Sequence, residues 1–269
     1  MPLGKFTFIP YFCSPFMKRL IIFIFLLQNF LAVHAQDSAA VANDVTILYR
    51  KENSFGLTAH SGGFGILYRN ARHVSVWRKR VIEGEFVSMR HPKQTKVVNE
   101  QTSGDAKPFF YGKLNYVYLL RLGYGMQKVI FGKAEKSGVE VRYNLFAGAS
   151  LGITKPVYND VLEGTNDPNI KTVSTKKYNP QDPNQQSVSD FYGPGGYFLG
   201  FDQLTLYPGA YGKFSLSFEY STVHQKVAII ETGIVADGFL KTIPIMAFTK
   251  NNPYYVNLFV SLLWGGKKN

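Results

Sequence analysis

The sequence predicts an all-β fold, a single antiparallel transmembrane β-barrel of eight strands, with ten strands as the alternative. Three features of the 269-residue chain favour this fold. Several segments place apolar side chains at every second position, which is typical of strands with two different faces. Polar connections between these segments alternate between long and short, and aromatic residues recur at the segment ends.

The first 35 residues have the features of a secretory signal peptide. A basic pair at 18–19 precedes an apolar run over 20–27, and Ala35 ends a stretch suited to cleavage. Translation from Met17 would give this leader its usual length. The run is shorter than the roughly 20 residues of a transmembrane helix, and a retained anchor is the alternative. The chain is accordingly divided into a signal peptide (1–35), a short segment (36–44) and the barrel (45–269).

Composition limits the chemistry that the chain can perform. The one cysteine, Cys13, lies in the leader, so cleavage would leave no thiol for a disulfide, a nucleophile or a metal. We predict no cofactor and no metal. After residue 35 the chain carries 27 Lys and Arg against 18 Asp and Glu, which favours phosphates or acidic partners. Nucleic acid is not expected, because no binding motif accompanies the charge in an exported protein.

Alternation is clearest in residues 139–151 and recurs in 113–122, 213–220 and 254–264. In each segment one row is apolar and the other carries polar or charged side chains. A soluble sheet turns the apolar row toward a core, whereas a membrane barrel turns it toward lipid and lines its lumen with the polar row. In the last segment the apolar row consists of Tyr254, Val256, Leu258, Val260, Leu262 and Trp264.

The leader favours the lipid-facing interpretation of these rows. After it, no apolar run is long enough for a membrane helix. Only helices and closed barrels satisfy every backbone group in lipid. We therefore expect a barrel, with a soluble periplasmic β protein as a further alternative.

The predicted strands are separated by connections of two kinds. Those after the third, fifth and seventh strands are long, and the remaining ones are short, including Glu52 to Ser54 and Asn70 to Arg72. The third strand loses its alternation around 78–80 and 83–85, which predicts a bulge or an extension of the strand beyond the bilayer. The ten-stranded alternative divides the second strand at 61–63 and adds 127–131 or 239–248. The eight predicted strands are 45–51, 55–69, 73–90, 111–122, 137–154, 206–221, 225–236 and 253–265.

Aromatic residues at the predicted strand ends indicate two interfacial girdles. The alternative is an aromatic-rich soluble β core. The residues concerned are Tyr49, Phe55, Tyr68, Tyr111, Tyr158, Tyr207, Tyr211, Tyr220, Tyr254 and Trp264.

Together, these features resemble the small outer-membrane β-barrel proteins of Gram-negative bacteria. Segments such as RLGYGMQKVIFGK, GASLGITKPVY and KTIPIMAFTKNN are most similar to a poorly characterised Bacteroidota group of such barrels. The resemblance covers almost all of the chain after the leader. It implies location in the cell outer membrane and contact with outer-membrane lipids, including lipopolysaccharide, and with the barrel-insertion machinery.

In the wider class, the insertion machinery reads a last strand that ends in an aromatic residue. The resemblance therefore implies an insertion signal, although residues 265–269 follow where many members end. The matching positions are Leu258, Val260, Leu262 and Trp264.

Charged residues on the polar rows predict a network in the lumen. The interior of an eight-stranded barrel is nearly filled by side chains, and buried charges must be paired or hydrogen-bonded. The alternative is a narrow polar path or a proton-linked site. The predicted network consists of Lys113, Arg121, Glu140, Arg142, Lys213 and Glu219.

We predict that the chain is not an enzyme. His60 and Ser61 come nearest to a base and a nucleophile, but adjacent residues on a strand point to opposite faces. Asp160, Glu163 and Asp167 offer oxygen ligands for calcium in a polar loop, without the spacing of a helix-loop-helix site.

Two surfaces are candidate partner sites. The loop FYGPGGYFLG carries aromatic residues that could anchor a partner or cap the barrel mouth, namely Phe191, Tyr192, Tyr197 and Phe198. A basic collar on the periplasmic side, centred on Arg78, Lys79 and Arg80, suits an acidic partner or lipid phosphates, unless it consists of ordinary solvated turns. The collar also includes Arg69, Arg72, Lys128, Lys133, Lys136, Lys267 and Lys268.

The function predicted from these features is that of a non-enzymatic outer-membrane barrel. It would act as an interaction or assembly component of an envelope complex, with other envelope proteins as partners. A small channel or transport barrel and a lipid-modifying outer-membrane enzyme are the alternatives.

Overall fold

The computed structural model describes residues 50–100, 107–133, 138–164, 171–221 and 226–268. The predicted signal peptide, the segment 36–44, Tyr49, Lys136 and Asp167 lie outside these ranges. Within them, no helix is long and apolar enough to cross a membrane. The strands in chain order are β1 (Lys51–His60), β2 (Gly63–Ser75), β3 (Arg78–Met89), β4 (Lys96–Val97), β5 (Phe109–Phe110), β6 (Asn115–Phe131), β7 (Glu140–Pro156), β8 (Tyr158–Gly164), β9 (Lys171–Lys177), β10 (Phe191–Pro194), β11 (Thr205–Glu219), β12 (Lys226–Phe239) and β13 (Tyr254–Lys268). Short 3-10 helices span Pro183–Gln185, Val188–Asp190 and Phe201–Gln203.

Eight strands close into an antiparallel barrel in the order β1-β13-β12-β11-β7-β6-β3-β2. The predicted all-β fold and the predicted count of eight strands are confirmed. Closure pairs the first strand with the last, from Lys51 opposite Lys268 to His60 opposite Phe259. A closed barrel has no free edge, so its strands satisfy one another's backbone groups without water.

The connections sort by length between the two ends of the barrel. At the end that we call outer, long connections follow β3, β7 and β12, and a tight turn at 61–62 joins β1 to β2. At the inner end, shorter connections follow β2, β6 and β11, and β13 finishes there. Sorting of this kind is typical of outer-membrane barrels.

The boundaries of the first predicted strands are wrong. The predicted connection Glu52 to Ser54 lies within β1, and Asn70 to Arg72 lies within β2. The chain turns instead at 61–62, as the ten-stranded alternative proposed, and at 76–77. The prediction placed a connection here because Asn70 and Arg72 are polar. Asn70 nevertheless stays in the sheet, where its side-chain amide donates to the Oδ1 of Asn53 over 2.5 Å.

Alternation in β3 is regular, so the predicted bulge around 83–85 is also wrong. Lys79, Glu83 and Glu85 are buried at every second or fourth position, while Arg80 and Ile82 point outward. The carboxylates disturb the apolar pattern without disturbing the pleat, since the inward row of this strand is charged. Irregular register occurs in β2 between His73 and Ser75.

The two faces of the barrel wall have opposite polarity. Outward positions carry exposed apolar side chains such as Leu258 (66% exposed), Ile82 (61%) and Leu122 (59%). The inward positions bury charged residues and small apolar clusters. All six residues of the apolar row in the last strand face outward, as the alternation predicted.

A glycine on β6 leaves room for a large ring in the lumen, and a second glycine lies between the two in the sheet. Tyr211 lies opposite Gly148, which in turn lies opposite Gly123. A Cβ added to Gly123 would stand 2.2 Å from the Tyr211 hydroxyl oxygen, and one added to Gly148 would stand 2.1 Å from the carbonyl oxygen of Leu122. The Tyr211 ring therefore occupies the space that a side chain at Gly123 would need, whereas the absence of a side chain at Gly148 allows close approach of the β6 backbone.

Candidate functional site

The middle of the lumen contains a compact group of four charges. Arg69 forms ion pairs with Glu83 and, over 2.7 Å, with Glu231. The ammonium of Lys213 lies 2.8 Å from Glu83 and 3.8 Å from Glu231. All four side chains are buried, so each cation contacts both anions in surroundings that exclude water. We call this arrangement the middle quartet.

The inner third of the lumen is organised around Arg142. Its guanidinium pairs with Glu140 and Glu219 and lies 3.6 Å from Glu52. Lys79 binds the other oxygen of Glu52 over 2.5 Å. Two rim lysines contact Glu219, namely Lys267 at 2.6 Å and Lys133 at 3.9 Å.

Near the outer end, Arg121 bridges two carboxylates from different strands. It lies 2.9 Å from Glu85 and 2.7 Å from Asp237, and the hydroxyl of Ser150 also donates to Asp237. The three groups together join seven basic to seven acidic side chains, so that the network is neutral when every member is charged. The basic members are Arg69, Lys79, Arg121, Lys133, Arg142, Lys213 and Lys267, and the acidic members are Glu52, Glu83, Glu85, Glu140, Glu219, Glu231 and Asp237.

Above Arg121, an apolar plug fills the outer mouth of the barrel. The connection between β12 and β13 inserts Ile243 and Ile245, both fully buried, among inward side chains of the wall. Asn251 holds this connection in shape, because its carbonyl accepts from the backbone amides of Ile245 and Met246. The wall residues around the plug are Val87, Met89, Val117, Leu119 and Phe239.

The long outer connections also build a cap with its own core. Strands β10, β8 and β9 form a three-stranded sheet, and β4 pairs with β5. Asn99 ties the connections together by donating to the carbonyl of Phe191 over 2.8 Å. The buried core of the cap comprises Phe109, Val157, Val161, Tyr178 and Phe191.

Five of the six residues of the predicted lumen network take part in these ion pairs, and Lys113 does not. Its ammonium lies 3.9 Å from the ring centre of Tyr116 and 4.8 Å from that of Phe110, at the base of the cap. No described carboxylate forms an ion pair with it. Burial, together with the positive charges of Arg90 and Lys155, lowers the pKa of Lys113 to about 7.

The structure separates the residues of the predicted aromatic loop. Phe191 is fully buried in the cap core and Tyr192 is half-buried. Tyr197 and Phe198 are exposed on the outside of the barrel rim, where the Tyr197 hydroxyl lies 2.6 Å from that of Tyr118. Lys155 supports this segment by donating to the carbonyls of residues 197 and 199.

The predicted basic collar is divided in the same way. Arg78 and Arg80 point outward at the inner rim, but Lys79 and Arg69 point into the lumen, where they are paired. The positions of the predicted insertion signal, from Leu258 to Trp264, lie on the outward face of β13, and Trp264 is opposite Phe55 of β1. Three residues expected in an aromatic girdle lie elsewhere, because Tyr211 is in the lumen, Tyr207 packs against the plug and Tyr111 packs against the cap core.

The residues considered for catalysis and for calcium have other contacts. His60 accepts from the amide of Gly62 and lies 3.1 Å from the carbonyl of Ser88, while Ser61 donates to Asn257. These bonds hold the tight turn between β1 and β2. Glu163 pairs with Lys176. Among the described residues, no group of three or more His, Cys, Asp and Glu side chains could hold a metal ion.

Sequence reasoning missed the acidic partners of the network. Glu52, Glu83, Glu85, Glu231 and Asp237 all lie on the inward row of their strand, which alternates with an outward row. Their row could have been assigned from that alternation. Their partners could not, because Lys213 and Glu83 are 130 positions apart along the chain.

Comparisons with known proteins add a likeness in fold only. No protein-family model matches the chain, and no curated protein matches its sequence. The structure of Neisserial surface protein A (NspA) is similar with a TM-score of 0.39 and 8% identity, covering 81% of this chain and 96% of that chain. Ail, the attachment invasion locus protein of Yersinia pestis, is similar with a TM-score of 0.36 and 7% identity, covering 81% of this chain and 97% of that chain. The specific likeness to a Bacteroidota group stays a prediction.

Proposed function

We propose that the chain is an integral outer-membrane barrel that acts, without catalysis, as an interaction component of the cell envelope. The observation that carries the proposal is the inverted polarity of the closed wall. Its outward rows expose residues such as Leu258 and Leu122, while its lumen buries eleven of the fourteen paired charges. In water this arrangement would expose the apolar rows and bury the charges at a cost for both, whereas a lipid bilayer removes the first cost.

Two features support a role in binding rather than in transport. The ion pairs and the plug around Ile243 occupy successive levels of the lumen, which leaves a solute no wide path through the described barrel. The described part of the cap has a hydrophobic core, which holds its outer surface in a defined arrangement. Phe198 is 84% exposed beside Tyr197 and Phe201, and such aromatic groups are common centres of protein interfaces.

The test is purification of the tagged chain from native outer membranes in mild detergent, followed by mass spectrometry of the proteins that accompany it. We expect a stoichiometric envelope protein with the native chain and its loss from the variant F198S/F201S. Leu240→Ser is the matched control, because Leu240 is 82% exposed on a different outer connection. A clean monomer, or a partner retained equally by both variants, would contradict binding through this aromatic surface.

A further inference from the structure

Four cations lie side by side on the outward face of the barrel at its inner rim. In the register of the sheet, Lys268 is opposite Lys51, Lys51 is opposite Arg72, and Arg72 is opposite Arg80. All four side chains are exposed. They belong to four neighbouring strands, β13, β1, β2 and β3, and we call them the cation ladder. Directly opposite residues on one face have Cβ atoms only about 5 Å apart.

Nothing in the described chain neutralises the cation ladder. Like charges directly opposite each other destabilise a sheet. The nearest carboxylates in sequence, Glu52 and Glu83, face the lumen and are already paired there with Lys79 and Arg69. No ladder residue forms an ion pair with a described residue. A second cross-strand pair, Arg78 opposite Lys128, adds two more cations beside the ladder.

The side chains above the ladder change in polarity step by step toward the middle of the barrel wall. Next comes the hydrogen-bonded pair of Asn53 and Asn70. One rung further, Phe55 lies opposite both Trp264 and Tyr68. The next rung on these strands is aliphatic, with Leu57 opposite both Leu262 and Ile66. Cations, amides, aromatic rings and aliphatic chains therefore follow one another in the order of a lipid monolayer from phosphate to acyl chain.

We propose that the cation ladder binds the phosphate groups of anionic phospholipids in the inner-side leaflet of the membrane. The inference rests on the proposed membrane-spanning function and names a lipid class for one of its surfaces. Lipid phosphates supply the negative charge that no described residue provides to the ladder. In a monolayer they lie next to the level of the interfacial aromatic residues, which is where the ladder lies. The four positions act together, since one anionic headgroup is broad enough to contact cations on adjacent strands.

The test compares the full chain in vesicles of phosphatidylcholine with vesicles that contain one third phosphatidylglycerol, at equal low ionic strength. The ladder variant is K51Q/R72Q/R80Q/K268Q. The matched control K93Q/K107Q/K241Q/K250Q removes the same charge from exposed lysines of the outer connections. The measured quantities are the unfolding rate in urea and the lipids retained in native mass spectrometry.

We expect phosphatidylglycerol to slow unfolding of the native chain and of the control about tenfold, and of the ladder variant less than threefold. In phosphatidylcholine the ladder variant should unfold no faster than the native chain, because its like-charge contacts are gone. An equal effect of phosphatidylglycerol on all three proteins would overturn the proposal. So would full stabilisation of the native chain in detergent by inorganic phosphate alone, which would assign the ladder to a free anion.

Failure of the ladder proposal is distinguishable from failure of the proposed function. A chain that inserts and folds in both vesicle types without lipid preference contradicts only the ladder. A chain that inserts into neither contradicts the membrane-spanning barrel. A ladder variant that keeps the lipid effect but loses an acidic envelope protein would overturn the lipid assignment in favour of a protein contact.

Discussion

Glu83→Gln should lower the free energy of unfolding by about 3–5 kcal/mol, which is the usual cost of breaking a buried ion pair from one side. Glu83 is fully buried in the middle quartet and contacts both Arg69 and Lys213. Its neutralisation leaves two buried cations with Glu231 as their only shared carboxylate. Lys213→Met should cost a similar amount for the opposite reason, because two carboxylates then share Arg69.

The double variant E83Q/K213M separates pairing from simple loss of contacts. It retains the pair of Arg69 and Glu231, whose atoms lie 2.7 Å apart, and it restores equal numbers of the two charges. We therefore expect it to cost about 3 kcal/mol less than the sum of the single variants, at the upper end of coupling energies for residues in contact.

The assay is reversible urea unfolding from lipid vesicles, followed by the fluorescence of Trp77 and Trp264 and by the gel mobility of the folded barrel. Ser217→Ala is the control within the lumen, because Ser217 is fully buried and its hydroxyl has no hydrogen-bond partner in the described structure. It should cost less than about 1 kcal/mol. Additive single effects, or a cost for Glu83→Gln as small as that of the control, would refute the pairing argument.

Three further predictions concern the rim, the cap and the wall. Glu219→Gln should destabilise the barrel more than Glu140→Gln, because the Glu219 side chain is 1% exposed and that of Glu140 is 20% exposed; urea midpoints of the two variants provide the comparison, and equal midpoints would contradict it. Because the pKa of Lys113 falls to about 7 in the folded protein from an ordinary 10.5, the unfolded chain binds more protons between these values, and stability should rise with pH across that window. Lys113→Met should flatten this rise in unfolding curves recorded from pH 7 to 10, and an unchanged slope would disprove the assignment. Gly123→Leu should cost about 1–3 kcal/mol through overpacking, since it displaces the Tyr211 ring; Tyr211→Ala in the same chain should recover part of the loss, and failure to do so would place the strain elsewhere.

The sequence was sufficient to predict which rows of the wall face outward. Period-two alternation assigned the row from Tyr254 to Trp264 to the outside, and the structure exposes every member of it. The sorting of long and short connections was also predictable, because it depends on the number of residues between strands and not on the residue at which each strand begins or ends. These features repeat over many residues, so an error at one position does not change the outcome.

The boundaries and the partners were not predictable in the same way. Val76 and Trp77 form a turn although both are apolar, and Asn70 stays in a strand although asparagine favours turns. Tertiary pairing decides both cases. The network in the lumen depends on contacts such as Lys213 with Glu83, which only closure of the barrel brings together. Lys113 is the clearest case in which alternation did not predict the partner. It lies on the same alternating row as members of the network, but its ammonium contacts aromatic rings at the base of the cap.

The central claim is that the apolar outward rows lie in lipid, and a spin label at Leu258 tests it most directly. A cysteine placed there in a chain with Cys13 replaced by serine would carry the nitroxide, and a second label at Lys176 of the cap, whose side chain is 43% exposed, would serve as the reference. In the folded chain in outer-membrane vesicles, we predict that oxygen relaxes the label at 258 strongly and a water-soluble nickel complex hardly at all, with the reverse at 176. Access of the nickel complex to position 258 equal to that at 176 would contradict a membrane-spanning barrel.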